Sequence, residues 1–200
     1  ELGIESNSSA FAALKTDGTV IAWGNSNNGG SVPSGLSGVK AIYPNTQAFA
    51  ALKTDGTVIA WGNSNNGGSV PSGLSGVKAI ASTPSAFAAV KEDGTVVAWG
   101  DSTYGETNVP SGLSDVKTIY SARFAFAALK NDGTVVAWGR SDGGGNASSV
   151  QSSLTNVTAI YANYKAFAAL KSDGSVVVWG HPAEGGTNPG DLTSVQSIHV

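Results

Sequence analysis

The chain has no cysteine and no methionine, two histidines, and only 12% charged residues over its 200 positions. Each shortage removes a class of reading. Without cysteine there is neither a disulfide framework nor a thiolate metal site. A hydrolytic triad needs a base beside a nucleophile. The two histidines do not supply one: His199 lies in the terminal stretch, and His181 takes a loop position that changes from copy to copy. The 11 basic residues are scattered singly under a formal charge of −3, which is not the basic footprint of a nucleic-acid binder. No apolar run approaches the roughly 18 residues of a membrane-spanning helix. The chain starts at Glu1 without any methionine, and so reads as a mature or excised product.

What fills the chain instead is repetition. The string Phe-Ala-Ala-Leu-Lys-x-Asp-Gly-Thr-Val-x-x-Trp-Gly occurs five times with small changes, opening at Phe11, Phe49, Phe87, Phe126 and Phe167 and closing at Trp23, Trp61, Trp99, Trp138 and Trp179. The stretch from Phe11 to Ile42 returns unchanged as Phe49 to Ile80, the mark of a recent duplication. A unit of this size cannot bury its own apolar face, so neighbouring copies stack into one core. The expectation is one repeat domain over 1–200. Its units run approximately 1–38, 39–76, 77–115, 116–156 and 157–194, with a surplus strand at 195–200.

Within a unit, three short apolar runs rich in β-branched and aromatic residues are separated by turn residues, which predicts strands. In the second copy they are Val39–Tyr43 (strand A), Ala48–Leu52 (B) and Val58–Trp61 (C). The Asp-Gly pair in Lys53-Thr54-Asp55-Gly56-Thr57 suits a tight B–C hairpin. A short fourth strand, D, is predicted near Ser69-Val70-Pro71. Strands B and C are apolar on both faces, so each sheet must be covered on both sides, as sheets arranged face to face around an axis would be. The fold class is therefore all-β: five tandem antiparallel meander repeats of 38–41 residues forming a five-bladed β-propeller or ring-like array.

All length variation falls between Trp-Gly and the following Leu, with one extra residue near Tyr104 and three near Asp142-Gly143-Gly144-Gly145. Strand parity puts the A–B and C–D loops on one side of the array and the invariant B–C turns on the other. The A–B loops diverge strongly, from Ser6-Asn7-Ser8-Ser9 to Ser121-Ala122-Arg123-Phe124 and Ala162-Asn163-Tyr164-Lys165. The residue after Trp-Gly diverges too. Ligand-binding candidates on this side are Asn25, Asn63, Asp101, Tyr104, Arg123, Arg140, Tyr164, Lys165 and His181.

The string Ala-Leu-Lys-x-Asp-Gly-Thr-Val-x-x-Trp-Gly, with Val-x-x-Ile upstream, resembles the repeat of the regulator of chromosome condensation family, in its short bacterial form. The resemblance covers essentially the whole chain and implies β-propeller blades of four strands. The chain departs from the family in having five units rather than the common seven, and Asn65-Asn66-Gly67-Gly68 where Gly-Gln-Leu-Gly is usual. The eponymous member's exchange and chromatin roles are not carried over, since no loop offers its interaction elements and the charge is wrong for nucleosomes.

Strand A occurs in six registers but strand C in five, because Glu1-Leu2-Gly3-Ile4 and Val195-Gln196-Ser197-Ile198 are equivalent. The surplus is open to three readings: an excision artefact, a degenerate cap, or a strand donated to the next chain. Leu2, Ile4, Val195 and Ile198 are the corresponding assembly candidates. No catalytic constellation emerges. Asp17, Asp55, Asp93, Asp132 and Asp173 brace the repeated turn, Glu106 and Glu184 lie unpaired in variable loops, and no calcium-loop spacing exists. Asn7, Asn146 and Asn156 begin glycosylation-type triplets. The reading is a non-catalytic interaction module of a bacterial secreted or cell-surface protein, without cofactor or metal, binding a protein or glycan. The alternative is a structural subunit assembling head to tail into extracellular fibres.

Overall fold

Fifteen strands in the computed structural model, which describes residues 3–199, form five three-stranded antiparallel sheets. The first holds β1 (Ile4–Ser6), β2 (Ala10–Leu14) and β3 (Val20–Gly24); the second holds β4 (Val39–Pro44), β5 (Ala48–Lys53) and β6 (Val58–Gly62). The third holds β7 (Val77–Ser82), β8 (Ala86–Lys91) and β9 (Val96–Gly100), and the fourth β10 (Val116–Ser121), β11 (Ala125–Lys130) and β12 (Val135–Gly139). The fifth holds β13 (Val157–Ala162), β14 (Ala166–Lys171) and β15 (Val176–Gly180). In every sheet the middle strand pairs with both neighbours, and each unit's Phe stands opposite its Trp, as Phe49 opposite Trp61.

The Asp-Gly hairpin forms as the residues require. Asp55 Oδ1 accepts from the Thr57 backbone N–H at 2.9 Å and from its hydroxyl at 2.6 Å, and Gly56 takes the φ of 79° that closes the turn. These hydrogen bonds from Thr57 and Thr95 hold the carboxyls of Asp55 and Asp93 down to about 2. The flanking Lys–Asp pairs, at 3.3–3.6 Å, are exposed on the acid side and contribute little. The turn also clamps adjacent units, since the Gly56 carbonyl accepts from the Val77 N–H at 2.9 Å.

Consecutive sheets meet through one seam made four times. The Ala10, Ala12 and Val20 side of the first sheet packs on Val39, Ile42, Phe49, Ala51 and Trp61 of the second. Equivalent residues make the three later seams. In each seam the Phe and Trp rings lie 5.2–5.4 Å apart. Each Trp indole also donates back to the preceding unit: Trp61 to the Gly29 carbonyl at 2.9 Å, Trp99 to Gly67 at 3.0 Å, Trp138 to Glu106 at 2.8 Å and Trp179 to Gly144 at 2.9 Å. The buried N–H is thereby satisfied without interrupting a ladder.

Two sequence expectations are corrected. No strand D forms among the described residues. The segment at Val70-Pro71 turns instead, with the Leu74 N–H donating to the Pro71 carbonyl, while Val70 and Leu74 lend their side chains to the core. Proline has no N–H to give to a ladder, which disfavours a strand there. Nor do residues 195–199 form a strand. Val195 nonetheless donates its N–H to the Gly174 carbonyl at 2.8 Å, as Val39, Val77, Val116 and Val157 do one unit earlier. Of the assembly candidates, Ile4 is 64% exposed, Val195 and Ile198 lie half-buried in the tail, and Leu2 falls outside the described residues.

Candidate functional site

Backbone pairing puts the A–B loops and the segments that follow strand C on one side of the array. The residue after each Trp-Gly donates its N–H to an A–B loop carbonyl: Asn25 to Ser9, Asn63 to Gln47, Asp101 to Ser85, Arg140 to Phe124 and His181 to Lys165, all at 2.8–3.0 Å. Four of these five side chains are then used locally. Asn25 and Asn63 accept from the N–H groups of Asn27 and Asn65, Asp101 from Thr103, and His181 Nδ1 from Ala183, each capping its own turn. Asn63 also donates to the Gln47 side chain at 2.8 Å.

Arg140 makes no such cap, and its side chain reaches a cluster built by the third, fourth and fifth units. The rings of Tyr104 and Phe124 lie 4.4 Å apart. The Arg123 guanidinium stacks between Phe124 and Tyr164, at 4.8 and 4.5 Å from the ring centroids. Arg140 lies 5.2 Å from the Tyr104 ring and pairs with Asp142, and Lys165 lies 5.8 Å from the Tyr164 ring. Tyr104 and Tyr164 stay 38% and 50% exposed. Stacking over aromatic faces restricts guanidinium rotamers while leaving N–H donors at the edge; Arg140 directs two of its donors to Asp142. The neighbouring basic groups act on Asp142, whose carboxyl is held below its usual range by the Arg140 hydrogen bond first, then by the charges of Arg140, Lys165 and His181.

Thus Tyr104, Arg123, Arg140, Tyr164 and Lys165 come together, His181 borders them, and Asn25, Asn63 and Asp101 stay in their own turns. Sequence reasoning missed Phe124, the ring at the centre. The available signal was that Ser9, Gln47, Ser85 and Lys165 fill this loop position in the other copies, so Phe124 alone is aromatic there.

Glu106 is the other departure. Read as an unpaired loop acid, it is fully buried and accepts from the hydroxyls of Thr83 and Ser85. The first, second and fifth units instead send an Asn amide (Asn7, Asn45, Asn163) to the carbonyl of Asn28, Asn66 or Glu184. Thr83 cannot reach so far, and the extra residue near Tyr104 brings in the carboxyl. Burial raises the Glu106 pKa against the lowering effect of the two hydroxyls. A raised folded-state value means that its stabilisation is fully present below the unfolded pKa and is lost as pH rises through the folded one. Glu106→Gln is therefore expected to match the parent near pH 4 and to exceed its Tm by a few degrees at pH 8. Parallel Tm–pH curves in circular dichroism melts would contradict this. The turn aspartates titrate in a separate window, losing their contribution as pH falls through about 2 for Asp55 and Asp93.

Sequence comparison matches the chain to no protein family and to no curated protein. Solved structures are informative. Prp20p from Saccharomyces cerevisiae, the yeast RCC1, superimposes with a TM-score of 0.63 at 18% identity, over 89% of this chain and 56% of its own. The receptor kinase CR4 ectodomain from Physcomitrella patens gives 0.65 at 20% identity over 94% of this chain and 54% of its own. Human WBSCR16 gives 0.65 at 21% identity, over 96% and 64%. The fold is an RCC1-like β-propeller. Its five sheets are the blades, and the chain spans between half and two thirds of the length of these structures. Prp20p is described as binding Gsp1p and histones, and Kap60 has been crystallised with it. Among the described residues no group of three or more His, Asp or Glu gathers into a metal site.

Proposed function

We propose that the chain is a non-catalytic binding module whose ligand face is the cluster of Tyr104, Arg123, Phe124, Arg140, Tyr164 and Lys165, and whose ligand is a protein surface presenting carboxylates. The observation that carries this reading is the pair of arginines stacked on exposed aromatic rings, in a chain otherwise poor in charge. The corresponding loops of the first two units offer Asn7, Ser8, Ser9, Asn45, Thr46 and Gln47, which are neither charged nor aromatic. Arginine and tyrosine are also the side chains from which binding hot spots are most often built. Placement on a bacterial secreted or cell-surface protein belongs to the same proposal.

The test is a binding screen against acidic, neutral and basic peptide arrays and a glycan array, followed by titration of the best ligand. The double variant Arg123→Ala, Tyr164→Ala is expected to weaken binding by about 30-fold, or 2 kcal/mol. Asn25→Ala and Asn63→Ala should leave affinity within about twofold. Binding to acidic peptides should weaken as salt rises. Unchanged affinity in the double variant, or selection of neutral glycans alone, would overturn the assignment.

A further inference from the structure

The four seams between blades are copies of one interface, and the chain carries each half of that interface once more at its ends. In a seam, the leading face of the later blade brings its Phe–Trp pair and an Ile onto the trailing face of the earlier blade, made of alanines and a valine. At the front of the chain the leading face is uncovered. Phe11, Trp23 and Ile4 are 45%, 43% and 64% exposed, against 0%, 4% and 8% for the equivalent Phe49, Trp61 and Ile42. Phe11 and Trp23 are nevertheless already stacked at 5.3 Å, as in the buried seams.

The back of the chain is open at the matching place. A Cβ added at Gly29, Gly67 or Gly144 would come within 2.5–2.7 Å of the next blade's Phe ring, whereas at Gly185 it would meet nothing within 4 Å. Two cavities of ≈ 130 and ≈ 270 Å³ flank Ile198, and Ala168 and Gly185 line both. The repeat register places a sixth Phe–Trp pair in this space.

We propose that the leading face of the first blade docks on the trailing face of the fifth blade of a second copy of this chain. Phe11 and Trp23 enter the cavities beside Ala166 and Ala168, and the Trp23 indole N–H donates to the Gly185 carbonyl of the other copy. That bond repeats the four made inside the chain by Trp61, Trp99, Trp138 and Trp179. A second copy is the occupant because the joint continues an interface already made four times inside the chain, with an exposed Phe–Trp pair at one end and open space at its repeat position at the other. Residues 195–198 of one copy and 1–4 of the next share a register, so only one of the two can stand beside the incoming β2. The tail is already tethered through Val195 and takes that place, displacing the incoming β1, whose Ile4 stands opposite Ala13 in the isolated chain. The joint is heterologous, so copies add end to end or close into a ring. None of this depends on the loop-face reading.

Light scattering and sedimentation over about 1 μM to 1 mM test the joint, with circular dichroism as the check on folding. The parent chain is expected to rise above its monomer mass of 20.0 kDa with concentration. Trp23→Asp blocks the leading face at an exposed side chain, and Phe11→Ser is a milder second variant of the same face. Gly185→Asp blocks the trailing face, at a position where a side chain has open space in the isolated chain. Each variant alone should stay monomeric, while an equimolar mixture of Trp23→Asp and Gly185→Asp should form a capped dimer and stop. A parent chain that is monomeric throughout, association that survives in the single variants, or a mixture that forms no dimer would each overturn the proposal.

Discussion

Trp99→Ala is expected to lower the unfolding free energy by about 3–5 kcal/mol, the usual cost of emptying a buried aromatic site. The indole is 5% exposed, stacks on Phe87 at 5.4 Å, and donates to the Gly67 carbonyl across the seam. Truncation loses the apolar contacts and leaves that buried carbonyl without its donor, two terms that add. Trp23→Ala removes the same side chain at the same repeat position but from an uncovered face, so in dilute solution it should cost about 1 kcal/mol, mainly the loss of stacking on Phe11. Urea unfolding of the two variants is the measurement. Equal costs would mean that the seam contributes little and that the tryptophans stabilise each blade internally.

Gly67→Ala should cost about 2–4 kcal/mol, from left-handed backbone strain and overpacking together. Gly67 has a φ of 94°, and an added methyl would approach the Phe87 ring to 2.7 Å. Phe87 is fully buried and cannot move aside. Gly185→Ala provides the internal control, because its φ of 88° is similar but the space beside it is open. It should show the backbone strain alone, about 1 kcal/mol. At about 2–4 °C per kcal/mol for a chain of this size, thermal melts resolve the two. Similar shifts would assign the whole effect to φ and none to the seam.

Much of the fold is legible in the sequence, because the forces behind it are local. The spacing of Phe and Trp, the both-faced apolar strands, and the Asp-Gly-Thr turn each follow from a few neighbouring residues. Strand parity groups the A–B loops with the segments after strand C, and the backbone bonds between them bear this out, although strand D itself does not form. The predicted fourth strand failed at Val70-Pro71, where a β-favouring residue pattern met a proline without an N–H and a core that needed Val70 and Leu74 as plugs. Phe124 was missed because an aromatic loop residue has no periodic signal, and Glu106 because its partners, Thr83 and Ser85, are more than twenty residues away.

The unit, its three strands, its turn and the need for copies to stack are written in each repeat, since strand pattern, hairpin geometry and the burial of two-sided sheets are local. Which side chains meet across neighbouring units depends on the packed fold. It drew two arginines onto three aromatic rings from the third to fifth units and buried a carboxyl beneath two hydroxyls. Those outcomes depend on how whole sheets pack and where inserted loop residues are displaced, which no single repeat encodes.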